Sequence, residues 1–335
     1  MKKGPNREIR GCSLSHLLLF NLFLLSTLVL STRLATFLHE VLGHGLTAAA
    51  LGAEVNGIRL SLFGGGNAYY QFEGGPARAG AFAVSFGGIQ VNLITGLVSI
   101  LLSGRAETGR GRAVYLSLFG MVSLLGGLVY TCLGFYYGVG DPEAWMSESS
   151  ATAEWLWAPC LALLPVASFF GVKAFFRSIQ PWFSAVRFTE KVLVLLLTLG
   201  ITGSIYAGLY RITGQRSVAL ESSAIAQSRA AEKARREVLA VYERLREDHP
   251  EWTEEDLSRV LSAYLVSAER QWRPPLIPVL AVLQLVGALF ALRRGDRTAA
   301  VSPRLPPALA LSSAVLAAAV IGLLVLTSGW VWKAV

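Results

Sequence analysis

Two histidines and a glutamate lie within six consecutive residues of an apolar stretch, in the segment H-E-V-L-G-H at positions 39–44. The whole chain has only four histidines. Neutral imidazoles are good zinc ligands, and a catalytic zinc keeps one position open for water, whose pKa the metal lowers towards neutrality. We therefore predict that His39 and His44 hold a zinc ion and that Glu40 is the catalytic general base.

The spacing of these histidines differs from the usual zinc motif. In the H-E-x-x-H pattern the histidines stand at i and i+4 on one helix face, whereas His44 follows His39 at i+5. At about 3.6 residues per turn, i+5 places the second ring roughly 140° around an α-helix instead of about 40°. The rings converge only if the helix widens, so we predict a π-bulge with Gly43 absorbing the distortion.

The hexapeptide H-E-x-x-G-H resembles the zinc motif of the dipeptidyl-peptidase III family, but that resemblance is confined to the motif. A wider resemblance, between residues 30 and 145, connects the chain with the site-2 protease family of intramembrane zinc peptidases. It rests on the motif and the small residues up to Gly52, on Val55 to Gly65, and on Ser85 to Leu93. The chain departs from that family by the extra residue between its histidines and by the lack of a proline before Asn92.

This resemblance implies a zinc-dependent endopeptidase that cleaves a membrane protein or peptide in or near the lipid bilayer. Two alternatives stay open. The first is an inactive relative that acts as a membrane binding or regulatory protein, which the i+5 spacing favours. The second is a transporter, although the chain has no inverted repeat of the kind that transporters often show.

Composition places the protein in a membrane. Of its 335 residues 53% are hydrophobic and only 16% are charged, with a mean hydropathy of +0.50, whereas soluble domains carry about 25% charged residues. The net charge of +8 does not indicate nucleic-acid binding, because the basic residues lie in short loops between apolar segments rather than in one patch. We predict an all-α, multi-pass protein of the cell membrane.

The apolar segments predict about seven transmembrane helices. Residues 14–51 would be about 57 Å long as one helix, against a hydrocarbon core of about 30 Å, so they form one span with a long extension or a span plus a re-entrant piece. The later spans are expected at residues 79–102, 113–139, 155–175, 190–211, 275–292 and 306–330.

The charged loops predict which side each span faces. Basic residues mark one side and place the N-terminal tail, residues 1–12, in the cytoplasm; they are Arg105, Arg110, Arg112, Lys173, Arg177, Arg187, Lys191, Arg293, Arg294, Arg297 and Arg304. Acidic residues without basic neighbours mark the opposite side, namely Asp141, Glu143, Glu148 and Glu154. The metal motif then lies towards the extracytoplasmic side.

The same topology brings Asp141 to the side of the membrane where the two histidines lie. A carboxylate there can complete a two-histidine, one-carboxylate zinc site, and site-2 proteases, by resemblance, take their third ligand from an aspartate in a later span. Asp141 is our candidate, with Glu143 and Glu73 as substitutes. Asn92 lies in the middle of an apolar span and needs a hydrogen-bond partner; it binds substrate backbone or holds helices together.

The other segments complete the expected organisation. Residues 52–78 predict a short β-hairpin, which in the resembling family lies beside the active site and could pair with an extended substrate. We expect a basic tail at 1–12, a zinc-peptidase-like membrane core at 13–145, further transmembrane helices at 146–211, an extracytoplasmic helical hairpin at 212–273 and C-terminal transmembrane helices at 274–335. In the hairpin, Thr253 and Asp256 predict a helix N-cap.

Overall fold

The structure is a computed structural model. It describes residues 14–63, 65–73, 78–106, 111–137, 141–142, 150–179, 200–206, 208–209, 239, 241–257, 259–260, 276–293, 306–327 and 330–333. In these ranges the chain forms α1 (Leu14–Leu38), a π-helix (His39–Gly45), α2 (Leu46–Ala50), β1 (Glu54–Leu60), β2 (Gly66–Gln71), α3 (Arg78–Arg105), α4 (Gly111–Tyr137), α5 (Ser150–Ile179), α6 (Leu276–Arg293), α7 (Pro307–Leu326) and β3 (Trp330–Lys333).

Five helices in the described ranges are long and apolar enough to cross a membrane, which makes this a multi-pass membrane protein. They are Leu18–Ala50, Phe82–Arg105, Gly111–Phe135, Leu156–Ile179 and Pro307–Leu326. The predicted number of seven is not confirmed. The span expected at 275–292 corresponds to α6, whose apolar part, Pro278–Ala291, is shorter than a full span, and the span expected at 190–211 lies mostly outside the described residues.

The first helix is continuous from Leu14 to Ala50, because α1 passes through the π-helix directly into α2. It is therefore one span with a long extension and has no re-entrant turn. The π-helix at His39–Gly45 confirms the bulge predicted from the histidine spacing. Gly52, at φ +83°, takes the left-handed conformation that ends this helix and turns the chain into β1.

The predicted β-hairpin is confirmed, and a strand from the far end of the chain extends it. β1 pairs antiparallel with β2 and, on its other edge, with β3, so the strand order is β2-β1-β3. The last span was predicted to reach residue 330, but α7 ends at Leu326 and Trp330 begins β3. The Trp330 ring lies 5.5 Å from the Tyr69 ring and 5.9 Å from the Arg59 guanidinium carbon.

The membrane helices pack in sequence, α3 on α4, α4 on α5 and α5 on α6, while α7 lies against α1. The N-terminal half of α1 contributes Phe20, Phe23 and Leu24 to the main apolar core, where they meet α4 and α5. Its C-terminal end continues into the π-helix, which packs on α3. One helix thus runs from the apolar core to the predicted metal motif.

Only part of the predicted hairpin at 212–273 lies within the described residues. Its predicted N-cap is confirmed, since the Thr253 hydroxyl accepts from the Asp256 backbone N–H at 3.3 Å and the Asp256 carboxylate accepts from the Thr253 N–H at 3.2 Å. Hydrogen bonds from Thr253 hold the pKa of the exposed Asp256 below its ordinary value. Glu143 lies outside the described residues.

Candidate metal centre

The π-helix brings the two motif histidines together on one face. An α-helix would separate them, but the extra residue in this turn rotates His44 back towards His39. The two ring centroids lie 4.7 Å apart with planes inclined by 85°, and the Nε2 atoms are 3.1 Å apart. Both side chains are buried. The i+5 spacing is therefore compatible with two ligands to one ion.

Asp141 joins this pair, as predicted. Its Oδ2 lies 3.2 Å from His39 Nε2 and 3.3 Å from His44 Nε2. Among the described residues these three side chains form a group that is close enough to hold a metal ion. Glu73, one proposed substitute, is exposed and lies outside the group.

The Asp141 carboxyl is suited to ligation in its charged form. Burial alone would raise its pKa, but the imidazoles of His39 and His44 oppose this effect by hydrogen bonding and by charge. The net pKa lies well below the ordinary value for aspartate. A ligand must be deprotonated to bind a cation, and the lowered pKa favours that form of Asp141.

The donor set fits zinc in type and in geometry. In a tetrahedral site with zinc–ligand bonds of about 2.0–2.1 Å, two ligand atoms lie about 3.3 Å apart. The three ligand atoms here form a triangle with sides of 3.1, 3.2 and 3.3 Å, close to one face of such a tetrahedron. The fourth corner is left for a water molecule or a substrate oxygen, as catalytic zinc sites require.

Gly88 on α3 keeps the space beside the ligand atoms open. A Cβ at this position would lie 2.6 Å from His44 Nε2 and 2.7 Å from His39 Nε2, well inside van der Waals contact. Any other residue would therefore occupy the place where an ion must sit. The absence of a side chain at Gly88 is a second observation that fits a metal at this point.

Glycines also allow the π-helix and α3 to touch through their backbones. A Cβ on Gly43 would lie 2.3 Å from the Gly88 Cα, and one on Gly87 would lie 2.4 Å from the Gly43 carbonyl oxygen. From the sequence, Gly43 was predicted to absorb the helical distortion. The structure gives it a second and stricter role, because only glycine permits this backbone contact between helices.

The ring nitrogens that face away from the triangle have partners on α3. His44 Nδ1 donates to the Val84 carbonyl oxygen at 2.8 Å, and His39 Nδ1 lies 3.1 Å from the Asn92 amide nitrogen. Val84, Gly88 and Asn92 are four residues apart and so share one face of α3. Asn92 thus contacts His39, a candidate ligand; that it binds substrate backbone stays a prediction.

Glu40 is buried between the ligand group and the sheet. Its carboxylate faces the backbone N–H of Ala68 in β2, and a Cβ on Gly66 would lie 2.7 Å from the Glu40 Cγ. The charge of this carboxylate also interacts with His44, His39 and Asp141. Glu40 is therefore a buried acid near the group of three side chains, and its carboxylate is not a member of that group.

Two residues that contact this site or the sheet beside it were not predicted from the sequence. Tyr130 on α4 accepts a hydrogen bond from the Asp141 backbone N–H at 3.0 Å, and its ring packs edge-on against His39. Arg33, buried one and a half turns before the motif, donates to the Ser61 carbonyl at the end of β1. Arg33 was visible as a charge in an apolar span, a signal of a buried polar contact, whereas Tyr130 carried no such signal.

Comparison with known proteins identifies the group to which this arrangement corresponds. A family profile described as Peptidase M50B-like matches residues 14–192, which is more than half of the chain. The matched range contains the π-helix, the β-hairpin, Asn92 and Asp141. No curated protein and no solved structure matches the chain.

Proposed function

The chain belongs to the peptidase M50B-like family of site-2 proteases, and from this premise we propose that it is a zinc-dependent intramembrane endopeptidase. Its substrate is a membrane protein or membrane peptide that is cut in or near the bilayer. The observation that carries the proposal is the triangle of His39 Nε2, His44 Nε2 and Asp141 Oδ2, with Glu40 buried beside it.

Each residue of the centre has a separate role in this reaction. His39, His44 and Asp141 hold the ion. When bound, zinc supplies Lewis acidity, which lowers the pKa of a water molecule and polarises the scissile carbonyl group. Glu40 takes the proton from the attacking water and passes it to the departing amide nitrogen, as a buried carboxylate next to the nucleophile can do.

The sheet offers a way to present an extended substrate to Glu40. β2 pairs with β1 along one edge, and its other edge faces Glu40 through the Ala68 N–H. Within the described residues no strand pairs with that second edge. A substrate segment that adds to it as a strand would gain backbone hydrogen bonds and would lie alongside the catalytic carboxylate.

A transmembrane substrate must lose part of its helix before it can be cut, because the backbone groups of a helix are already paired. The edge of β2 replaces some of the hydrogen bonds that the substrate gives up. The centre lies at the end of the first span, with the N-terminus in the cytoplasm and the site towards the extracytoplasmic side, as the loop charges predict. Unwinding near the membrane surface costs less than unwinding at its middle, since water can reach the freed groups.

The alternative of an inactive relative rested on the i+5 spacing. The π-helix brings the two Nε2 atoms to 3.1 Å despite the extra residue, so the spacing does not argue against a working site. Membership of a peptidase family favours a hydrolase over a transporter.

The test is cleavage of single-span transmembrane peptides in liposomes that contain the purified protein. The peptides carry small and helix-breaking residues near the extracytoplasmic end, and products are identified by mass spectrometry. We expect cleavage by the zinc-loaded wild type and a loss of at least about a thousandfold in Glu40→Gln, since general base catalysis and transition-state contacts are both removed. Glu40→Gln should keep its zinc.

Two results would count against the proposal. Cleavage by Glu40→Gln at the wild-type rate would remove Glu40 from the reaction. A zinc-loaded wild type that cuts none of the peptides, yet stays bound to them after the liposomes are dissolved in mild detergent, would favour the binding protein.

A further inference from the structure

In each of the two ligand histidines, Nδ1 faces away from the ion site. The two Nδ1 atoms have different partners. His44 Nδ1 lies 2.8 Å from a carbonyl oxygen, that of Val84. A carbonyl can only accept, so His44 carries its proton on Nδ1 and has its lone pair on Nε2. This is the tautomer that a metal at the triangle requires.

His39 meets an amide instead of a carbonyl. Its Nδ1 lies 3.1 Å from the Asn92 Nδ2. With the amide nitrogen in this position Nδ1 must accept, so the proton of the neutral ring would sit on Nε2 and point at Asp141. That arrangement leaves no lone pair on the atom that must bind the ion.

The Asn92 amide can take the opposite orientation without losing a hydrogen bond at its other end. Its Oδ1 is buried and has no hydrogen-bond partner in the described part of the chain. Rotation of the amide by 180° exchanges nitrogen and oxygen with almost no change in shape. The oxygen then accepts from His39 Nδ1–H, and the Nε2 lone pair faces His44 Nε2 and Asp141.

From this geometry we propose that Asn92 is a positioning residue, which accepts a hydrogen bond from His39 Nδ1–H and so fixes His39 in its metal-binding tautomer. The inference rests on the zinc site of the proposed function, and it concerns how tightly the site holds the ion. Partners of this kind orient the ligand ring and raise its basicity, and their removal typically lowers metal affinity about 10- to 100-fold.

Three substitutions distinguish whether Asn92 acts as a hydrogen-bond acceptor, as a hydrogen-bond donor or only by filling space. Asn92→Asp keeps an acceptor and loses the donor, Asn92→Leu keeps the approximate size and loses both, and Asn92→Ala loses size as well. Ser103→Ala is the control, because Ser103 is buried on the same helix and, within the described residues, its hydroxyl bonds only to the Ile100 carbonyl of its own helix. The measurement is the zinc dissociation constant of each purified full-length protein, by competition with a chromophoric chelator.

We expect Asn92→Leu and Asn92→Ala to bind zinc about 10- to 100-fold more weakly than wild type, and Asn92→Asp to bind at least as tightly as wild type. Ser103→Ala should match wild type. A second readout, the imidazole ¹⁵N chemical shifts of the zinc-loaded protein, should show His39 protonated at Nδ1 in wild type and in Asn92→Asp.

Contrary results would overturn the inference in distinct ways. Equal weakening in Asn92→Asp and Asn92→Leu would show that the donor end of the amide matters, and wild-type affinity in Asn92→Leu would show that Asn92 only fills space. If wild type itself binds no zinc, the proposed function fails; if it binds zinc and all Asn92 variants match it, only this inference fails.

Discussion

The two ends of the first membrane helix are held by opposite means. At the aromatic end, Phe20, Phe23 and Leu24 are buried by large side chains of α4 and α5. At the motif end, His39–Gly45, the closest contacts with α3 are made by glycines, a carbonyl and an amide. At the aromatic end the side chains only need to fill the available volume, and neighbouring side chains can change rotamer to do so. At the motif end the contacts depend on the positions of individual atoms.

This difference predicts that the same kind of small change has different consequences at the two ends. A methyl group more or less at the aromatic end should alter stability and leave zinc binding intact. At the motif end one added methyl group should remove the metal, if it enters the site from Gly88, or push the π-helix away from α3, if it is added at Gly43.

The largest effect is expected for Gly88→Ala. The new Cβ would lie 2.6–2.7 Å from the two ligand nitrogens, so the ion and the methyl group cannot occupy the site together. Elemental analysis of the purified variant should find no zinc. Gly104→Ala is the matched control on the same helix, because a Cβ there meets nothing within 4 Å, and it should bind zinc as wild type does. A full complement of zinc in Gly88→Ala would show that the ion does not need the space that Gly88 leaves open.

Gly43→Ala should act on stability through the contact between helices. Its Cβ would come within 2.3 Å of the Gly88 Cα, and backbone cannot rotate away as a side chain can. We expect a loss of about 1–3 kcal/mol in unfolding free energy, measured by unfolding in mixed detergent micelles. Gly126→Ala on α4, where a Cβ meets nothing within 4 Å, should be neutral or slightly stabilising. Equal stability of the two variants would show that the helices do not meet at Gly43.

Phe20→Leu tests the aromatic end. Phe20 is 0% exposed, and the smaller side chain should cost about 1 kcal/mol, since the neighbouring side chains can partly fill the space. The folded protein should still hold one zinc ion per chain. Leu18→Ala, at a position that is 62% exposed, should change neither property. Loss of zinc in folded Phe20→Leu would mean that the two ends of the helix are coupled.

Thr253→Ala gives the smallest effect and serves as a baseline remote from both ends. Removal of the cap should speed hydrogen exchange at the start of the helix that follows, as measured by mass spectrometry, with no change in zinc content. Because the pKa of Asp256 is lowered in the folded protein, its contribution is present at neutral pH and is lost as the pH falls through that lowered value. The difference between wild type and Thr253→Ala should therefore shrink under strongly acidic conditions to the part that comes from the bond between the Thr253 hydroxyl and the Asp256 N–H. A difference that stays equally large as the pH falls would contradict a role for the Asp256 carboxylate.

The sequence predicted those parts of the site that chemistry restricts most. Two histidines cannot share an ion from opposite faces of a helix, so their spacing required the bulge that the π-helix provides. Asp141 was the candidate favoured by the sidedness of the loops together with the site-2 protease resemblance, and Glu143 and Glu73 stayed open as substitutes. The spacing of the histidines left a single arrangement, whereas the choice of the third residue needed the structure.

Other features had no such signal in the sequence. Gly88 looks like any small residue in a membrane helix, and its importance appears only when α3 is placed against the motif. The pairing of β3 with β1 joins segments about 270 residues apart, and four residues after a helix carry little strand signal. The role of Gly43 in helix contact was missed for the same reason, since close approach between helices is a property of two segments together.

The most direct test of the account is the zinc content of wild type, His44→Ala and Asp141→Ala, purified in detergent without chelators and measured by elemental analysis. We predict one zinc ion per wild-type chain and its loss in both variants, because each removes one corner of the ligand triangle. Zinc that stays bound in both variants, or a wild type without zinc under conditions that retain a tightly held ion, would contradict it.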